Sequence, residues 1–271
     1  MTTKQSLRLP TLYIPHGGGP CFFMDWDPPG TWERMAAFLR GLVATLPAEP
    51  RAVLLVSGHW LEPAFTAGSN ARPALIYDYH GFPEHTYQLR YDAPGEPLLA
   101  ARVRALIAGA GLPAGIDAQR GYDHGVFIPL KLVLPQADVP VVQLSLLNTL
   151  DAAAHLAAGH ALEALRDDGV LIVGSGMSFH NMRAYGDPRF GPVSDTFDAW
   201  LTAAVEAAPA ERERRLARWD EAPAARLSHP PRAEEHLLPL MVAAGAARTG
   251  RGRRIFGDRV METTISAFRF D

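Results

Sequence analysis

The sequence predicts an α/β fold, with a central mostly parallel or mixed sheet flanked by helices. Two observations carry this reading. Four short runs are rich in Leu and β-branched residues and bounded by Gly, Pro or polar residues, and helical patterns lie between them. Strand alternating with helix is how a largely parallel sheet is built. In chain order, residues 12–14 read as the first strand, 32–46 as a helix and 52–56 as the second strand. Helical patterns at 97–110 and 127–134 precede a third strand at 139–146, and a helix over 150–166 leads into a fourth strand at 170–173. A further helix covers 194–208, and the charged run 211–219, ERERRLARW, reads as a solvated helix face. The tail from Arg253 to Phe270 turns strand-like toward its end and can supply a hairpin or an edge strand.

The chain has 271 residues, 48% of them hydrophobic, and a domain of this size buries roughly 75% of its unfolded surface. The Pro-rich stretches are too short to be linkers, so residues 1–271 read as one domain. A single Cys, Cys21, excludes an internal disulfide framework and a multi-thiolate metal site, and a buried inert thiol is expected. A net charge of −3 lacks the basic footprint of a nucleic-acid-binding protein. No stretch approaches the ~20 apolar residues of a membrane span. Pro15 and His16 interrupt the N-terminal apolar segment before it reaches signal-peptide length. The expectation is a cytoplasmic protein without nucleic-acid or membrane partners.

Ten His are the one oddity of the composition. Three of them stand just beyond strand ends, each beside glycines that let the backbone turn sharply: His16 in Pro15-His16-Gly17-Gly18-Gly19, His59 in Ser57-Gly58-His59-Trp60, and His180 in Ser178-Phe179-His180-Asn181. Ligands of open α/β sheets bind outside the carboxyl ends of the strands, so parallel strands would bring these three to one crevice. His124, in a turn-rich stretch before a helix, and His236, at the start of the apolar helix 237–244, are further candidates. Imidazole with carboxylate suits zinc or non-haem iron(II). Any one His at a strand end is more often a surface or hydrogen-bonding side chain; three together favour a shared metal site. His155 and His160 read as structural or solvated, and His80 and His85 as loop residues that could line a pocket mouth. The glycine run lacks both the G-x-G-x-x-G spacing and a P-loop Lys, and Ser175 is not in a G-x-S-x-G elbow, so nucleotide binding and serine hydrolysis are disfavoured.

Six motifs in order carry a family resemblance. They are Pro15-His16-Gly17-Gly18-Gly19-Pro20, Val56-Ser57-Gly58-His59-Trp60, Gly81-Phe82-Pro83, Tyr91-Asp92-Ala93-Pro94-Gly95, Asp123-His124-Gly125 and Glu235-His236-Leu237-Leu238-Pro239-Leu240. The sequence resembles the class III extradiol ring-cleavage dioxygenases, in the DOPA 4,5-dioxygenase-like (LigB-type) branch, over essentially its whole length. The resemblance implies one domain with a metal site at the C-terminal edge of the strands. It implies one divalent metal per chain, with Fe(II) expected for dioxygenase activity and Zn(II) also found in the family. By motif, His16 and His59 match the first two metal ligands and His236 a further one. Glu235 is its rival, because the wider superfamily places a carboxylate there. His180 matches the acid/base His, which some members carry on the metal, and His124 a pocket His that meets substrate or oxygen. Two departures stand out. The segment from His229-Pro230 to Glu235-His236 is longer than usual, and Gly18-Gly19-Pro20-Cys21 stands where many relatives read Gly-Ser-Pro-Met.

The implied reaction is cleavage of a catechol-type ring with O2, by a monomer or homodimer acting on a small aromatic diol. Trp60 and Tyr122, with Phe22, Phe23 and Phe127, are the candidates to flank the ring, and Arg183 the candidate to receive a substrate carboxylate. The alternatives are a zinc-dependent hydrolase using the same site to activate water and a non-catalytic metal-binding relative.

Overall fold

Buried runs with no polar alternation require a sheet covered on both faces. The structure, a computed structural model, describes residues 8–271. Its strands are β1 (Thr11–Pro15), β2 (Ala52–Glu62), β3 (Phe65–Gly68), β4 (Ala114–Asp117), β5 (Val141–Leu147), β6 (Val170–Gly176), β7 (Gly252–Val260) and β8 (Thr263–Phe270). They form one sheet in the order β4-β3-β5-β2-β6-β1-β8-β7. The predicted strands make its parallel centre, with β2 between β5 and β6 and β6 paired to β1. The tail forms the expected hairpin, β8 pairing antiparallel to β1 and β7 lying at the edge.

Helices α1 (Glu33–Gly41), α2 (Pro97–Gly109), α3 (His124–Val133), α4 (Ala152–Leu162), α5 (Gly191–Val205), α6 (Pro209–Ala217), α7 (Ala225–Ser228) and α8 (Leu238–Ala247) cover the two faces. Alternation along the strands sorts their side chains. Leu54, Val56 and Ile172 join α2, α4, α5 and α8 in one core, and Leu12, Ile14, Leu55 and Val173 join α1 and α3 in the other. Among the described residues, no helix is long and apolar enough to cross a membrane.

Several boundaries differ from expectation. The four-residue strands β3 and β4 escape prediction because each is short and carries a Gly. Helix α3 starts at His124 rather than at 127, and β2 runs on to Glu62 because an irregularity between Val56 and Leu61 lets it re-pair with β5. The charged run is not wholly solvated: Arg212 and Leu216 are buried on α6. Arg212 donates to the carbonyls of Gly250 and Arg248 and lies over the Phe270 ring, so its charge serves chain ends that have no helical partner.

Candidate metal centre

Pairing with β6 stops at Pro15 opposite Gly176 and at Ser57 opposite Ser175, so His16 and His59 stand side by side just past the last β6-paired residues. The His16 N–H still donates to the Gly176 carbonyl at 3.2 Å, which holds the first turn against β6. The slip in β2 re-aims its end, as β-bulges do. His59 then faces a cavity, while Trp60 is buried on the other side, its Nε1 donating to Glu62 and its ring under Arg120. The fourth residue after β6 is His180. His236 arrives from the loop before α8, and its carbonyl accepts from the Tyr13 hydroxyl at 2.7 Å and the Met177 N–H at 3.2 Å. Gly176 makes that approach feasible, because a Cβ there would overlap the same carbonyl oxygen.

Three ring nitrogens converge. Nε2 of His59 lies 3.1 Å from Nε2 of His16 and 3.2 Å from Nε2 of His236. The far ring nitrogens fix the tautomers. The Ser175 hydroxyl donates its only proton to the Gly125 carbonyl at 2.5 Å, so it must accept from Nδ1–H of His16 at 3.1 Å. Nδ1 of His236 lies 3.1 Å from Oε1 of Glu235, and Nδ1 of His59 faces Oδ2 of Asp78 at 3.8 Å. Carboxylates only accept, so these contacts also favour protons on Nδ1. With protons on Nδ1, the Nε2 lone pairs face one another, an arrangement a cation relieves. Imidazole nitrogens bound at about 2.0–2.1 Å to one metal stand roughly 3.0–3.4 Å apart, so the spacing fits a divalent ion. Glu235 meets Nδ1 of His236, whereas Nε2 of His236 is the atom turned toward His59. His16, His59 and His236 form a group able to hold an ion, and two overlapping groups, His59 with Asp78 and His124, and His180 with Glu235 and His236, could also do so.

Two further imidazoles flank this cluster. His124 lies with its ring centroid 3.9 Å from that of His59, and its Nδ1 donates to Oδ1 of Asp78 at 2.8 Å, leaving Nε2 as the free atom. His180 stacks on His236 at 3.4 Å with an interplanar angle of 16°, and its buried Nδ1 lies 3.7 Å from Oε1 of Glu235. Burial, reinforced by the charges of the neighbouring rings, lowers His16 and His236 well below the usual imidazole range and His59 to about 3. Burial and then His124 lower His180 to about 4. Burial pushes the Asp78 carboxyl up, but the hydrogen bond and charge of His124 outweigh it and hold Asp78 at about 2. Burial raises the Glu235 carboxyl. Neutral imidazoles beside ionised Asp78 are the state in which metals bind.

The cluster floors a cavity of about 430 Å³ whose walls include Trp26, Trp32, Tyr79, Phe82, Met177, Met182, Tyr185 and Met261. The predicted substrate contacts are not among them. Trp60 faces away, as above; Tyr122 is buried with its hydroxyl on the carbonyls of Val141 and Pro94; Arg183 is exposed outside the cavity. Sequence proximity to a ligand misled there, since neighbours on a strand point to opposite faces. His80 does reach the mouth, as the loop reading allowed, and Cys21 is buried, its thiol pushed up by burial. Asp78 was missed altogether; its only signal is an acid inside the aromatic run Tyr77-Asp78-Tyr79-His80 just before Gly81-Phe82-Pro83.

Imidazoles converging at the carboxyl ends of parallel strands, under an apolar cavity, form an α/β site able to hold a metal ion beside a small ligand. Residues 11–268 match the LigB family, described as the catalytic LigB subunit of aromatic ring-opening dioxygenase. The chain is 37% identical to dioxygenase tasH of Hapsidospora irregularis, over 98% of this chain and 86% of that protein. It is 40% identical to a 4,5-DOPA dioxygenase extradiol of Beta vulgaris over 73% of this chain and 74% of the relative, and 33% identical to one of Escherichia coli K12 over 89% and 86%. The crystal structure of an uncharacterized Escherichia coli K12 protein superposes with a TM-score of 0.78 at 28% identity, covering 97% of this chain and all of that one. The chain belongs to the LigB family of aromatic ring-opening dioxygenases, in its extradiol branch.

Proposed function

We propose that the protein opens the ring of a catechol-type substrate beside its diol with O2, using one divalent metal held by Nε2 of His16, His59 and His236, and that residues 1–271 act as one catalytic domain. The observation that carries this reading is Nε2 of His59 facing those of His16 and His236 at 3.1 and 3.2 Å, with the Nδ1 atoms turned to acceptors. A metal bound there supplies a template and an electron path between diol and O2, and Fe(II) suits the second task because zinc has no redox chemistry. Both atoms of O2 enter the product, so no external reductant is consumed. His180 lines the cavity as a neutral ring whose Nδ1 is buried, and its Nε2 takes a diol proton and returns it to the opened product. His124, held by Asp78, offers Nε2 to the ligand from the other side. The aromatic wall sandwiches the ring and keeps water out. The test is reconstitution with Fe(II) under argon, then addition of oxygenated catechols. A yellow ring-opened product with one O2 consumed per catechol is expected. Silence across the panel, with hydrolysis of esters or amides by the zinc-loaded protein, would overturn the reading.

A further inference from the structure

We infer that the cavity selects uncharged catechols bearing an apolar substituent and discriminates against carboxylated ones; the inference rests on the ring-opening reading above. Several relatives carry in their names DOPA, whose side chain bears a carboxylate and an ammonium. Among the described residues, the cavity lining holds no Lys or Arg. Arg120 places its guanidinium on Asp123 and over Trp60, and Arg183 is exposed and not part of the lining. The acid in the lining, Asp78, would repel a second carboxylate. A carboxylate on the substituent, held away from the metal by the diol, loses hydration against this wall without meeting a Lys or Arg.

The outer wall is apolar by construction as well as by composition. Tyr185 spends its hydroxyl on the Phe179 carbonyl at 2.7 Å and Tyr79 on the Thr86 carbonyl at 2.7 Å, so both offer the cavity ring surface rather than a donor. Three methionines line it from two segments: Met177 just after β6, Met182 further along the same loop, and Met261 from the tip of the β7–β8 hairpin. The Gly186 N–H donates to the Met261 carbonyl at 2.8 Å and ties the hairpin tip to that loop. Met182 is 71% exposed, a large apolar side chain left at the mouth for a ligand to cover. Methionine is the side chain that moulds to apolar groups of varied shape.

The probes are 4-ethylcatechol and 3,4-dihydroxyphenylacetate, which share the diol and differ in the charge of the substituent. Binding is read by calorimetry and by quenching of tryptophan fluorescence, since Trp26 and Trp32 line the cavity, and turnover by oxygen uptake with the Fe(II) protein. At least a tenfold preference for 4-ethylcatechol is expected in both Kd and kcat/KM. The variant Met182→Arg, at an exposed position that tolerates a long polar chain, should erase most of that preference by strengthening binding of the carboxylate. Equal or better binding and turnover of the carboxylated catechol by the unaltered protein overturns the inference while leaving ring opening intact. Selective binding without oxygen uptake by either probe supports the selectivity and overturns the ring-opening reading. Failure of both probes to bind overturns the selectivity itself.

Discussion

Oδ1 of Asp78 accepts from two groups of one residue, the backbone N–H of His124 at 2.9 Å and its Nδ1 at 2.8 Å. One carboxylate therefore fixes both the first turn of α3 and the ring that this turn presents to the cavity. Asp78→Asn keeps an acceptor but removes the charge. The expected outcome is a fall in kcat of about 10–100-fold with metal content unchanged, the size of effect seen when a group behind a site residue is lost. Steady-state kinetics with elemental analysis checks it. Loss of metal in step with activity would instead place Asp78 among the ligands.

Alanine at His16 or His59 removes one of the three facing Nε2 atoms. Metal content should drop to below about a tenth of an equivalent per chain, and the increase in Tm on adding metal to the unaltered protein should vanish in the variants. Full metal content in both variants would sink the proposed centre.

Gly176 and Gly58 both lie against the His236 backbone, at different clearances. A Cβ at Gly176 would overlap the His236 carbonyl oxygen, whereas at Gly58 the nearest atoms, Glu235 O and His236 Cα, are 3.3 Å away. Gly176→Ala is expected to cost on the order of 3 kcal/mol or more in urea denaturation, a value reached when backbone must move in a close-packed core. Gly58→Ala should stay folded and weaken metal binding by displacing His236. Similar stability of the two variants would contradict the clearances.

Acid sensitivity has a source remote from the cavity. His155 is fully buried; its Nδ1 donates to the Asp151 carbonyl and its Nε2 accepts from the Leu147 N–H, and burial lowers it to about 4. The folded value lies below the unfolded one, near 6.5, so the unfolded chain binds more protons between them. Stability is full above about pH 6.5 and falls as pH drops toward 4, by about 1.4 kcal/mol for each unit separating the two values. His229, lowered by burial to about 3, acts in the same direction. Urea titrations at pH 7.5, 6 and 5 should show a shallower decline for His155→Gln than for the unaltered protein, and parallel declines would refute the assignment.

The sheet centre was legible because its strands are continuous apolar runs, a pattern set by burial on both faces. The convergence of His16, His59 and His180 followed from the same logic, since parallel neighbours end on the same side. The cavity wall was not legible. Met261 reaches it from a hairpin tip 245 positions after His16, and no local pattern encodes a contact that depends on where an edge hairpin lands. Trp60 shows the converse. It adjoins His59 in sequence, yet strand alternation turns it into the core.

His16, His59 and His236 are carried by the ends of central strands and by the turn locked against Gly176, whereas Met182 and Met261 come from a loop and a hairpin tip joined by the Gly186–Met261 bond. The imidazole cluster and the cavity rim are thus written in separate stretches of chain. Mutational drift along the outer stretch can change which molecules are accepted while the inner one keeps its grip, so a lineage built on this scaffold can acquire new substrates one rim substitution at a time.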